Sequence, residues 1–139
     1  MKTLLIGLFL VVAMSSCKYD ANSADLQSLT GTSWVLQDLA GLGIIDSAET
    51  TLVIGDNNRI SGYGACNRWF SRYVIEGSKL HVQPIGATKR LCPPEMMDQE
   101  KRFFDAMIHI QHVELDPQGR LLLFSENYQQ PLVFIPKKG

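Results

Sequence analysis

Two cysteines, Cys66 and Cys92, frame the stretch of this 139-residue chain with the most chemical capacity. They stand 26 positions apart, enclose Asn67, Arg68, Thr88 and Arg90, and follow two closely spaced glycines, Gly62 and Gly64. In a reducing compartment such a pair points to a metal or to buried thiols, and in an oxidising one to a disulfide. A bridge here would remove roughly 3–4 kcal/mol of loop entropy from the unfolded chain. Thiol redox catalysis normally uses Cys-x-x-Cys at a helix N-terminus, where free N–H groups stabilise the thiolate. Cys66 and Cys92 are too far apart for that motif, and Pro93-Pro94 after Cys92 donate no N–H bonds.

Other chemistries find less support. His109 and His112 are three apart, a spacing that puts both on one helix face, with Asp105 and Glu114 nearby. No third ligand is spaced to complete a metal site, so this face reads as solvated, near a helix C-terminus that favours positive charge. His81 falls in a strand as a packing or surface residue. The chain has no Gly-x-Ser-x-Gly and no phosphate-cradling glycine loop. The expectation is therefore a protein without catalytic residues, cofactor or metal. Asn67, Arg68, Thr88 and Arg90 have two accounts: Asn67 satisfies turn backbone and the arginines brace the bridge, or the four form a shallow anion or headgroup site beside it. Charge is segregated along the chain, with six Lys/Arg against Glu76 alone in Arg59–Arg90, and six acids against Lys101 and Arg102 in Glu95–Asp116. These halves complement each other in the fold or are simply solvated.

The N-terminus decides the compartment. Met1-Lys2-Thr3 is a positive n-region and Leu4–Ala13 a ten-residue apolar core, too short to span a bilayer. Met14-Ser15-Ser16-Cys17 has the pattern of a bacterial lipobox. Residues 1–16 are thus expected to be a lipoprotein signal peptide, Cys17 the lipidation site, and 17–28 a polar, flexible tether. The domain follows at 29–139. Three acyl chains on Cys17 would hold the protein in a membrane, and Lys18 after the cysteine favours the outer membrane, facing the periplasm, in a Gram-negative host. Lipid on Cys17 leaves Cys66 and Cys92 to form a disulfide. Without Lys2 the mature chain carries 12 basic and 14 acidic residues, a balance that suggests neither nucleic acid nor an anionic membrane surface as partner.

Strands are expected at Trp34–Leu39, Thr50–Ile54, Arg59–Cys66, Trp69–Ile75, Lys79–Gln83 and Ile85–Leu91, with Gly55-Asp56-Asn57-Asn58 and Glu76-Gly77-Ser78 as turns. One helix begins at Pro93-Pro94, where a missing N–H costs nothing. Its apolar stripe is Met96, Phe103, Met107 and Ile110, widened by Met97 and Phe104, with Asp98, Arg102, Asp105, His109 and His112 opposite. Val113–Asp116, Arg120–Phe124 and Pro131–Ile135 close the chain as strands. The class is α+β: a curved, barrel-like antiparallel sheet packed on a single amphipathic helix.

Several of these segments, in this order, resemble the META domain, also called the HslJ-like domain. They are Gly31-Thr32-Ser33-Trp34-Val35-Leu36, Gly64-Ala65-Cys66-Asn67-Arg68 with Trp69-Phe70 and Tyr73, Ala87-Thr88-x-Arg90-x-Cys92, and a helix bearing Glu100 and Phe103-Phe104. The resemblance runs from Gly31 to Ile135. It implies the same curved sheet on one helix and a small bacterial envelope protein, acting in envelope integrity or stress tolerance by binding another envelope component. META domains are also similar in architecture to lipid-binding pilotin lipoproteins of secretion systems. The Met/Phe stripe, easily repacked, therefore keeps a carrier of lipid or apolar segments as the alternative.

Overall fold

The computed structural model describes residues 25–76 and 79–139; the expected signal peptide, the lipidation site Cys17, most of the tether and the turn residues Gly77 and Ser78 lie outside the described residues. The domain begins earlier than expected. Asp25 accepts from the backbone N of Gln27 and caps a 3-10 turn at Leu26–Leu29. Leu26, placed by sequence in the tether, is buried in the core.

The described residues form nine strands: β1 Ser33–Leu39, β2 Thr51–Ile54, β3 Arg59–Tyr63, β4 Arg68–Glu76, β5 Lys79–Val82, β6 Gly86–Ala87, β7 Ile110–Leu115, β8 Leu121–Ser125 and β9 Leu132–Pro136. β4 shows the rule that fixes which side faces the core: Trp69, Ser71 and Tyr73 are buried while Arg68, Phe70 and Arg72 are exposed. Pairing is antiparallel throughout, in the order β5-β4-β3-β2-β1-β9-β8-β7, with β6 added to β4. The end strands β5 and β7 lie against each other, so the sheet is a nearly closed barrel.

The helix α1, Pro94–Ile108, supplies the other half of the core. Pro94 occupies its first turn and Glu95 its positive end, as the sequence suggests. Phe103, Ala106 and Met107 are buried against the sheet. Phe103 meets Trp69 edge-on at 5.5 Å and Phe134 at 6.5 Å, a geometry that aromatic quadrupoles favour.

Three expectations are corrected. The Ile85–Leu91 strand shrinks to Gly86–Ala87, because beyond Thr88 the backbone leaves the ladder and Arg90 N donates to the Asn67 side chain. The helix stops at Ile108, with His109 as its C-cap, and Ile110 starts β7. His109 and His112 therefore share no helix face: the His109 ring contacts Asp105 O and Asn127, whereas His112 stacks on Phe124 at 4.3 Å. Met97, expected to widen the buried stripe, is exposed.

Candidate functional site

Of the residues singled out by sequence, Cys66 and Asn67 lie in the turn joining β3 to β4 and Arg68 opens β4, while Thr88, Arg90 and Cys92 come to it from the segment between β6 and α1. The turn is closed by a bond from Gly64 N to Asn67 O of 2.9 Å. Inside it Ala65 has φ of +111°, a region that side-chain-bearing residues rarely adopt. The turn aims two successive backbone N–H groups at one point. Glu100 of α1 fills that point: its Oε2 accepts from Cys66 N at 3.0 Å and Asn67 N at 2.6 Å, and its Oε1 accepts from Asn67 Nδ2 at 2.7 Å. Successive N–H groups of this kind form an anion-binding concavity, and the anion it holds is the protein's own carboxylate.

The network continues outward. Asn67 Oδ1 accepts from Arg90 N at 2.6 Å and from the Thr88 hydroxyl at 3.0 Å, and Thr88 Oγ1 accepts from Arg68 N at 3.2 Å. Cys66 and Cys92 are joined by a disulfide with Cα atoms 5.9 Å apart, tying the turn to the start of α1. Both glycines serve close approach. A Cβ on Gly64 would lie 2.8 Å from Glu100 Oε2, and one on Gly62 would lie 2.1 Å from the Thr51 carbonyl oxygen. Asn67 and Thr88 thus brace the turn. Arg68 and Arg90 keep exposed side chains, and the Arg68 guanidinium sits 5.3 Å from the Tyr63 ring centroid while Nε donates to the Tyr63 hydroxyl.

Two buried polar residues of α1 do the holding, and only Glu100 figured in the sequence reading, as part of a motif. Its position was a signal: it lies four residues after Met96 and three before Phe103, on the buried stripe. Gln99, on the same side, accepts from Ile45 N at 2.8 Å and donates to Thr50 Oγ1 at 3.2 Å, fixing the glycine-rich loop before β2.

A second cluster lies on the outer face of β3 and β4. The cross-strand pairs Tyr63–Arg68, Ser61–Phe70 and Arg59–Arg72 run down it in a row, on the side of the sheet away from Ile60, Trp69 and Tyr73. Gln83 and Pro84 complete an open groove of about 610 Å³ with Arg59, Ser61, Phe70 and Arg72. Phe70 is 65% exposed, and its ring lies over Gly86, where a Cβ would come within 2.5 Å. Among the described residues, Lys/Arg ion pairs are Arg102–Asp98, Arg120–Asp116 and Lys137–Glu49, so Arg59, Arg72, Arg68 and Arg90 have no carboxylate within salt-bridge distance. Arg120 belongs to a different design: although burial acts in the opposite sense, its backbone and guanidinium, with Gln118 N, hold the Asp116 carboxyl below its ordinary 3.8 and set the β7–β8 turn. Among the described residues no three His, Cys, Asp or Glu converge as a metal-binding set.

Comparison with known proteins agrees with this architecture. The META domain family model matches residues 27–139. A protein from Burkholderia xenovorans, solved by NMR, has a similar fold, with a TM-score of 0.65 and 24% identity over 82% of this chain and 87% of that one. A second NMR structure is similar with a TM-score of 0.60 and 18% identity over 80% of this chain and 93% of that one. Among curated proteins no sequence matches significantly.

Proposed function

Because the chain belongs to the META domain family, we propose that it is a lipid-anchored protein of the bacterial cell envelope. In this reading the domain acts by binding another envelope component and not by catalysis, in a role in envelope integrity or stress tolerance. The observation that carries the reading is the Cys66–Cys92 bridge. A structural disulfide belongs to an oxidising compartment, and the leader ending at Cys17 has the features of an export and lipidation signal. The binding role is supported by how the polar residues divide. Asn67, Thr88 and Glu100 are joined in one network, whereas among the described residues Arg59, Arg68 and Arg72 have no carboxylate within salt-bridge distance and Phe70 exposes its ring.

A carrier resembling a secretion pilotin would need room between α1 and the sheet. Among the described residues that volume is occupied by Trp69, Phe103, Met107 and Phe134, each at most 1% exposed. The occupied core favours the binding module.

The anchor is tested by the mass of the N-terminal fragment of the full chain expressed in a bacterial envelope. Cys17 is expected as the first residue, carrying a diacylglyceryl group and an amide-linked acyl chain. A chain cleaved elsewhere, or an unmodified Cys17, overturns it.

A further inference from the structure

The chain leaves the described domain at the same end of β3 and β4 as Arg59 and Arg72, with Asp25 near the inward-facing Tyr73 and Leu26 in the core. Gln27 Nε2 reaches Asn58 Oδ1 at 3.5 Å, and Tyr73 N donates to Asn58 O at 3.0 Å. Asp25 lies close enough to Tyr73 for its charge to raise the phenol's pKa. Asn58 and Tyr73 are the chain neighbours of Arg59 and Arg72. Asp25 follows Cys17 by eight positions, and eight residues at full extension span at most about 26–29 Å. A lipid on Cys17 would therefore keep the Arg59–Arg72 end of the outer face within reach of the membrane surface.

The face itself has the chemistry of such a contact. Arg68, Phe70, Arg72 and Val74 alternate outward along β4, and Phe70 and Val74 are 65% and 40% exposed. From Arg68 to Val74 the row holds no acid; Glu76 ends β4 on the same outward alternation, Asp56 lies in the turn before β3, and Asp25 is near Tyr73 at that end of the strands. The exposed acids Glu95, Asp98 and Asp105 lie on α1, which packs on the inner side of the sheet. The near-neutral balance of the whole chain thus leaves room for a local run of arginines on β3 and β4. Arg59 and Arg72 are directly opposite one another, and like charges so placed repel unless an anion sits between them. Guanidinium groups suit phosphate oxygens, which they bind through paired N–H donors, and an exposed aromatic ring beside them suits the headgroup layer.

We propose that Arg59, Arg72 and Phe70 form a headgroup-docking face that lays the domain on the anionic surface of the membrane holding its anchor. The two guanidinium groups take lipid phosphates and Phe70 enters the interface. This rests on the proposed lipid anchor, which brings the face to the membrane, but the face itself must bind without it. The occupant is phospholipid phosphate, not a soluble polyanion.

The mature polypeptide without its acylated cysteine, residues 18–139, is floated with vesicles of phosphatidylcholine alone or mixed with phosphatidylglycerol. Association is expected only with the anionic vesicles and should weaken as salt rises. At about 1 kcal/mol per basic residue near an anionic surface, the double variant Arg59→Ser/Arg72→Ser should bind roughly 30-fold more weakly. Phe70→Ser should lose less, Lys101→Ser on α1 nothing, and all should keep the parental circular dichroism. Equal binding to neutral vesicles, full binding by a folded double variant, or binding to heparin with none to vesicles overturns the proposal. The N-terminal mass separates the two claims. An unmodified Cys17 with vesicle binding intact removes the anchor and leaves the face, whereas an acylated Cys17 with no vesicle binding removes the face alone.

Discussion

The turn at Cys66–Asn67 and the outer face at Arg59–Arg72 lie at opposite ends of the same two strands and draw on the same side-chain types. Amide, hydroxyl and guanidinium groups occur in both. In the turn the inward-facing donors converge on Glu100; on the outer face the charged groups have no carboxylate within salt-bridge distance among the described residues. The difference separates groups committed to the fold from groups left exposed. A buried polar group left without a partner costs more than a partnered one contributes, so polar residues that hold a fold are found already satisfied. In the proposed reading, the exposed groups of the outer face are the ones available to a partner.

That contrast breaks most easily at Glu100. Glu100→Ala strands three donors, Cys66 N, Asn67 N and Asn67 Nδ2, in a buried site. At 1–3 kcal/mol for each unsatisfied group, less what water entering the space recovers, the loss should be about 3–5 kcal/mol in urea unfolding. A loss below about 1 kcal/mol would mean that the turn holds itself and Glu100 is dispensable.

A smaller effect is expected at Tyr73, whose hydroxyl is buried without a hydrogen-bond partner among the described residues. Burial first, and the charge of Asp25 second, raise its pKa above the ordinary 10.0. The neutral phenol is the form the fold accepts, so its contribution is complete below pH 10. It is lost as the pH climbs from there through the raised folded value. Tyr73→Phe keeps the ring packing and removes the unpaired hydroxyl. Its stability at neutral pH should stay within about 1 kcal/mol of the parent, while its decline above pH 10 becomes shallower. An unchanged alkaline decline would assign that slope to other groups.

Why some of this was legible in the sequence and some was not follows from the same contrast. The strand at Trp69–Ile75 was legible because its residues alternate, a local property; that Phe70 faces outward and Ser71 inward is set by the packing of the sheet. Glycines inside a strand-like run fit a bulge, a bend or a close approach alike; at Gly62 and Gly64 the structure shows the close approach, to Thr51 and Glu100. What approaches them could not be read, since Glu100 lies more than 30 positions away and only the fold brings it in. Ile85–Leu91 reads as a strand by composition, but a single long-range bond from Arg90 N to Asn67 outweighs local preference. The histidine spacing misled because the helix ends at Ile108, one residue before the first of them. The basic groove was visible only as a charge excess; the register that sets Arg59 opposite Arg72 is tertiary.

The weakest expected effect on stability is the most informative about that groove. If Arg72 braced the fold, Arg72→Thr would destabilise it. Arg72 instead faces Arg59 across the ladder, and a threonine suits an exposed strand position. Removing one of two opposed like charges should leave stability unchanged or raise it by about 0.2–0.5 kcal/mol at low ionic strength. The gain should fade as salt screens the pair over a shorter Debye length. Thermal unfolding of Arg72→Thr at low and high salt measures both. A salt-independent loss would show Arg72 held by contacts within the domain and return it to the class of Asn67. A small, salt-sensitive gain would mark a position where the chain tolerates repulsion in its own fold, as a residue placed for an external anion should.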